Sequence, residues 1–408
     1  MDILRNNNKK RYRAINNNIM FTALGFFVFS SISSTIMQDY LHFPISLPEL
    51  LLLPFIIIQR KKFSTLKFKK KDFYVTFFLL LILLLLGLLF DIFPLYALLS
   101  SSRSWFYLLI CFFVFSRHND FTNEDFLWLA FGSIIAWLLN SLMNYNKLLQ
   151  FAIFNEQVVT YGLMLAIPVF FASAIYRSRY FLLLLGISLV SLTVVFAGIR
   201  RLLVIAVLSL FIASLFRVYK RKVQMFSVLL VGFTFFAFFS FFLPSIKGFV
   251  RETSPVMYYR VFERTENFIE SGNSGSSGDE RRLDNFMMFI ESLEDHIIPY
   301  GMVSVQTRND KRTGVFNDFP LYQLSWIFGW PIAFLILFQI CQILIRNIRK
   351  YKSFEDETSF ISINCLVVMF LLLFLEGTYI EYPYATPITG AILGRACLNV
   401  NRKKRFIT

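Results

Sequence analysis

The sequence predicts an all-α polytopic membrane protein with about 12 transmembrane helices and one large extracytoplasmic loop that itself contains helices. Three observations predict it. Of 408 residues, 56% are hydrophobic and only 16% charged, and mean hydropathy is +0.58; soluble domains carry about 25% charged residues. Apolar runs of about 17–25 residues recur along the chain, each long enough to cross a ~30 Å hydrocarbon layer. Lysines and arginines cluster in alternate short loops, as the positive-inside rule requires of a multi-pass chain.

The expected spans are 19–37, 45–59, 74–90, 95–116, 126–143, 158–176, 180–198, 202–216, 223–243, 321–344, 359–376 and 384–398. Helices are the default because every backbone polar group in lipid must be satisfied within its own segment. The first span follows the basic head KKRYR and reads as uncleaved, with the small residues of SSISST imitating a cleavage site. The chain therefore divides into nine spans (1–243), a large loop (244–320), and three spans with a basic tail (321–408).

Orientation follows from charge. The N-terminal Lys9, Lys10, Arg11 and Arg13 lie on the same side as RKKFSTLKFKKK, RSR, RVYKRK, RNIRKYK and the tail NRKKR. That side is cytoplasmic, so both termini are cytoplasmic. The net charge of +15 thus sets orientation and does not indicate nucleic-acid binding. Cys111, Cys341, Cys365 and Cys397 all lie in or at the ends of apolar runs, so no disulfide framework is expected.

One hairpin breaks the charge rule. In VVFAGIRRLLVIAVL, Arg200 and Arg201 are the only charged residues between Tyr180 and Phe216, and they face outward. Either they snorkel to headgroups, or two guanidiniums at the start of a helix form an anion site. At an outer membrane surface the natural anion is a lipid phosphate or pyrophosphate. Arg103 lies inside the fourth span, nearer its outer end; it adds to the same positive site or pairs internally with Asp91 or Glu49.

The loop opens a flexible break at SGNSGSSG, 271–278. After it, DERRLDNFMMFIESLEDHII carries apolar residues at 283, 286, 287, 290, 293 and 297, the spacing of an amphipathic helix near 280–298. Arg282 flanks the stripe centred between Phe286 and Ile290, while Arg281 points away. Spacing alone favours surface charges for both. Residues 254–270 are a second, weaker helix candidate.

His42, His118 and His296 lie far apart, and no His/Cys cluster or phosphate-loop motif appears, so neither a metal nor a cofactor is expected. Acid–base chemistry by an outward carboxylate or histidine remains, with Asp318, His296, Glu376 and Glu381 as candidates. In GVFNDFPLYQLSWIFGWP, Asn317 and Asp318 sit where the loop re-enters the membrane; Asp318 is equally suited to cap the tenth span, with Pro320 near its first position.

With these stretches in place, the chain resembles the O-antigen ligase and polymerase family of bacterial surface-polysaccharide enzymes. AGIRRLLVIAV is similar to the family's Ser-Arg hairpin, with Arg200 at the arginine position and Ile199 in place of serine. RRLDNFMMFIESLEDHIIPYG resembles its loop helix, with Arg282, Phe286, Pro299 and Gly301 matching. NDFPLYQLSWIFGW resembles its His-Asn segment, with Asp318 at the histidine's place by spacing to Gly329. NEQVVTYGLMLAIP looks like its Asn-bearing entry to a middle span. Ligases depend on that histidine, so its replacement points toward a polymerase.

The resemblance implies a GT-C-like, metal-independent glycosyltransferase in the bacterial cytoplasmic membrane. Its substrate would be a polyprenyl-pyrophosphate-linked oligosaccharide, such as one on undecaprenyl pyrophosphate, for O-antigen, capsule or a related glycan. It implies pyrophosphate binding by Arg200 and Arg282, support from Arg201 and Arg103, and base or orienting roles for Asp318 and Asn317, with His296 and Glu376 as further acid–base or supporting groups. The bilayer and a chain-length regulator protein are the other partners it admits. Two alternatives stand beside the polymerase: a ligase moving finished polymer to a lipid acceptor, and a polysaccharide flippase. The flippase is expected to show internal repeats, and none is visible in the sequence.

Overall fold

The computed structural model describes residues 16–27, 70–90, 94–117, 121–150, 163–197, 200–220, parts of 244–303, 320–373 and 385–401. Among these, every regular element is helical. The segments Leu95–Ser116, Asn123–Leu142 and Trp330–Phe354 are long and apolar enough to cross a membrane, and shorter apolar helices accompany them. The chain falls into two compact units: residues 1–65 with 119–246, and residues 66–118 with 247–408.

The first unit holds α1 (16–27), α4 (Asn123–Gln150), α5 (Leu163–Tyr176), α6 (Tyr180–Ala197) and α7 (Arg200–Lys220). At the centre is α5. Its run Leu165, Ala166, Ile167, Phe170, Phe171, Ala172 and Ala174 is fully enclosed, as expected of a helix apolar on all sides. Pro168 lies inside it; the carbonyl it leaves unbonded is tolerated because neighbouring helices shield the backbone. Phe170 stacks on Phe131 of α4, with centroids 5.6 Å apart. Gly186 of α6 makes room for that ring: a Cβ there would sit 2.1 Å from Phe170 Cε1. Glycines also let α1 and α4 touch backbone to backbone. A Cβ on Gly25 would meet the Leu129 carbonyl at 1.9 Å, and one on Gly132 would meet that of Thr22 at 2.0 Å. Ser133 Oγ donates to the Gly25 carbonyl across this crossing.

The second unit holds α2 (Lys70–Leu89), α3 (Leu95–Arg117), α8 (Pro320–Phe328), α9 (Trp330–Phe354), α10 (Glu357–Leu372) and α11 (Thr386–Asn401). Its closest pair is α3 with α11. Gly390 faces the Leu108 carbonyl and the Phe112 amide, and Gly394 faces the Phe112 carbonyl and the Ser116 amide. The two contacts advance together by four residues, so the helices run parallel. The Gly390-Ala391-Ile392-Leu393-Gly394 stretch is a small-xxx-small interface, which lets backbones approach where lipid supplies no hydrophobic drive to associate. Asp356 caps α10, accepting from the Ser359 amide and hydroxyl at 2.9 Å each.

Side chains facing away from the protein are apolar where a water-facing helix would be charged. On α2, Tyr74, Val75, Phe77, Phe78, Ile82 and Leu85 are all at least half exposed; on α9 so are Phe334, Leu335 and Phe338. Contiguous exposed apolar faces of this kind mark a surface that meets something other than water.

One expectation changes. The tenth span, 321–344, is not one helix: it breaks at Gly329, whose φ of +78° is left-handed, with Pro331 following at the second position of α9. Proline's missing N–H and the glycine's reversed φ make the bend there. The helix expected near 280–298 is helical at Asp284, Phe286, Met287, Met288, Ile290 and Glu291. Phe286 and Ile290 of its apolar stripe are each 43% exposed. Within the weaker candidate at 254–270, the described residues Tyr258, Tyr259–Glu263 and Glu266 are all helical, the middle five as a π-helix.

Candidate functional site

Arginines stand at both ends of the first unit. At one end, the turn between α5 and α6 places Ser178 at φ 54° and presents Arg177 and Arg179 to the two oxygens of Glu124, at 2.8 and 2.9 Å. Arg217, only 3% exposed, donates to the Tyr176 carbonyl at 2.8 Å and lies over the Tyr176 ring. These guanidiniums have protein partners and hold α4, α5 and α7 together. Arg200 and Arg201 are the first two residues of α7. Seventeen residues of helix, about 26 Å at 1.5 Å per residue, separate Arg200 from Arg217. The pair thus sits at the far end of the unit, at a helix start whose first amide groups have no intrahelical acceptor. Helix starts favour anions through their dipole and their first amide groups.

In the second unit the end of the large loop is anchored tightly. Tyr300 donates its amide to the Trp326 carbonyl at 2.9 Å, and Met302 donates to the Leu83 carbonyl at 2.7 Å. Gly301 between them has φ +86°, and a Cβ there would lie 2.4 Å from the Leu83 carbonyl oxygen. Only glycine fits, by backbone angle and by space. Gly329 does the same at the α8–α9 bend, where a Cβ would lie 2.6 Å from the Ile297 carbonyl oxygen. The Tyr300 ring sits between Phe90 and Trp326, at centroid distances of 4.5 and 4.9 Å, and Trp326 meets Tyr322 edge-on. The Pro299–Gly301 motif is thus a structural seat where the loop enters the helices.

Pro320 opens α8, and nearly every α8 side chain is buried. Its first turn is tied to the end of α10 by the Leu321 amide donating to the Leu373 carbonyl at 3.2 Å. Its last residue, Phe328, meets Trp105 of α3 edge-on at 5.5 Å. Arg103 is half-buried in the run Ser100-Ser101-Ser102-Arg103-Ser104, eight residues or about 12 Å into α3.

Arg103 is therefore the one predicted site residue whose side-chain burial is described. For Arg200 and Arg201 the backbone alone is described. Asn317, Asp318, His296, Glu376, Glu381 and Arg282 lie outside the described residues, as do Asp91 and Glu49. Two residues that sequence reasoning passed over stand out. Gln323 is 1% exposed and Thr386 0%, and among the described residues neither Gln323 Oε1 nor Thr386 Oγ1 has a hydrogen-bond partner. Their signal in the sequence is faint: single uncharged polar residues within apolar segments.

Comparison with known proteins finds no matching family model and no matching curated protein.

Proposed function

We propose that the protein is a polysaccharide polymerase that joins polyprenyl-pyrophosphate-linked oligosaccharide units at the outer face of the bacterial cytoplasmic membrane. The observation that carries this reading is the start of α7. Two arginines open a helix about 26 Å from the end where Arg177, Arg179 and Arg217 find protein partners. A helix start carrying two cationic residues suits a lipid-borne pyrophosphate. The seated Pro299–Gly301 turn supports it further, because it tethers the loop bearing Arg282 to a rigid group of helices.

In the proposed reaction a hydroxyl of one lipid-linked unit attacks the anomeric carbon of another. The carbon–oxygen bond to the pyrophosphate breaks, the hydroxyl proton passes to Asp318, and polyprenyl pyrophosphate leaves with the bonding pair. Arg200 and Arg282 neutralise that leaving group, Arg201 and Arg103 add to the positive potential, and Asn317 orients the acceptor. Groups aimed at developing charge are each worth about 10²–10³ in rate.

The experiment is glycan analysis of cells carrying Arg200→Ala or Arg282→Ala at unchanged protein level. Loss of long chains with single repeats still reaching the surface acceptor is expected. Long polymer retained on the carrier lipid would instead identify a ligase. Wild-type chain ladders from both variants would refute the site. Polymerisation by the purified protein in detergent would separate the enzyme from a flippase.

A further inference from the structure

The end of the large loop lies deeper than a loop outside the membrane would. Residues 297–303 are non-helical. They pack against α2 at one end and against the α8–α9 bend at the other. A Cβ on Gly87 would lie 2.6 Å from the Met302 carbonyl oxygen, and one on Gly301 would lie 2.5 Å from the Gly87 amide nitrogen. At the bend, the Ile297 carbonyl abuts Gly329.

Helices α2 and α9 each measure the depth of these contacts. Sixteen residues, about 24 Å of helix, separate Gly87 from Lys71 at the basic start of α2. Sixteen residues also separate Trp330, next to Gly329, from the exposed Arg346 near the basic end of α9. Basic residues mark one face of a hydrocarbon layer that is ~30 Å thick. The turn therefore sits about 6 Å short of the opposite face at Gly87, and about 12 Å short at Leu83.

Non-helical backbone persists at membrane depth only where protein satisfies it. This turn meets that condition. The Tyr300 and Met302 amides donate to the Trp326 and Leu83 carbonyls, and Gly301, Met302 and Val303 are buried. Helix α8, nine residues or about 14 Å long, is too short to cross the layer and ends at the same bend. Ile297 and Ile298, just before the turn, are by contrast 65% and 69% exposed. The Tyr300 ring touches Phe90, and Phe90, Leu89, Leu88 and Leu85 of the α2 end are exposed as well. The two isoleucines thus adjoin the apolar face of α2, for which lipid is the fitting solvent.

We propose that residues 297–303 form a re-entrant membrane segment, in which Ile297 and Ile298 contact the acyl chains of bilayer phospholipid. The segment pins the end of the large loop inside the half of the bilayer remote from the basic loops. It requires a membrane-spanning chain and is independent of the polymerase chemistry.

The test uses the full chain in phosphatidylcholine nanodiscs, with the photoreactive residue p-benzoylphenylalanine (Bpa) introduced singly. Ile298→Bpa is compared with Phe78→Bpa on the exposed face of α2 and with Ser353→Bpa, at an exposed position seven residues, about 10 Å, beyond Arg346. After irradiation, mass spectrometry measures phospholipid adducts and locates the attachment on the lipid. Moving a large apolar side chain out of water favours lipid contact by more than about tenfold, so the adduct yield at 298 is expected to approach that at 78 and to exceed that at 353 by about tenfold. Attachment is expected on an acyl chain. If the variant at 298 does not melt like wild type, Ile297→Bpa carries the test. A yield at the isoleucine no higher than at 353, attachment confined to the headgroup, or crosslinks to a second copy of the chain in place of lipid would each overturn the inference.

Discussion

Replacing Gly301 by alanine tests whether the loop's end is held as rigidly as its geometry demands. At φ +86° an L-residue sits in the left-handed region, at a cost of about 1–2 kcal/mol. The new methyl would fall 2.4 Å from the Leu83 carbonyl oxygen and 2.5 Å from the Gly87 amide nitrogen. Both are backbone atoms of α2 and cannot swing aside, so overpacking adds about 1–3 kcal/mol. Moving the turn away stretches the Met302-to-Leu83 hydrogen bond, now 2.7 Å, which is worth roughly 1 kcal/mol. Reduced freedom of the unfolded chain returns about 0.4–1 kcal/mol. The net expectation is a loss of about 2–5 kcal/mol. The assay is reversible denaturation in mixed micelles, compared with Gly248→Ala, where a Cβ has nothing within 4 Å. If the two variants agree within about 0.5 kcal/mol, the usual span of a neutral surface change, the reasoning is wrong. On the polymerase reading Gly301→Ala also shortens the glycan, because the turn anchors the loop that carries Arg282.

Two further predictions concern helix packing and charge. Gly390→Leu and Gly394→Leu should force α3 and α11 apart, since even a Cβ would approach carbonyl oxygens at 2.1 and 2.4 Å; a destabilisation of about 1–3 kcal/mol or more is expected, and wild-type melting of the double variant would exclude the parallel contact. Glu124→Gln removes the shared partner of Arg177 and Arg179. These groups are 23–36% exposed, so the loss should be about 1 kcal/mol and should shrink in 1 M salt; a loss unaffected by salt would mean that the pairs do not act as charges.

Much of the helical layout was legible from sequence because lipid narrows the choice. An apolar run with no water to bond its backbone becomes a helix. The starts of α3 at Leu95 and α6 at Tyr180 fall where hydropathy places them. Arg200 and Arg201 were expected to open a helix, and they do.

Hydropathy does not register what two backbones do at close range. The span across 321–344 is predominantly apolar, yet Gly329 and Pro331 divide it, and the Ile297 carbonyl lies where a side chain on residue 329 would be. Period-3.6 spacing gave the 280–298 helix an apolar stripe, but an apolar face packs as readily toward lipid or headgroups as toward protein, and Phe286 and Ile290 are exposed. The same limit applies to polar residues. Gln323 and Asn347 are both uncharged amides within helices of the second unit. Only packing shows that Asn347 reaches two carbonyls while Gln323 Oε1 reaches none. The sequence by itself determined that this chain is built of apolar helices, and where its cations cluster, because both follow from the transfer of side chains out of water. The tertiary structure decided which glycines let helices touch and which buried polar groups are left open, because those depend on distances of a few ångströms between segments far apart in the chain.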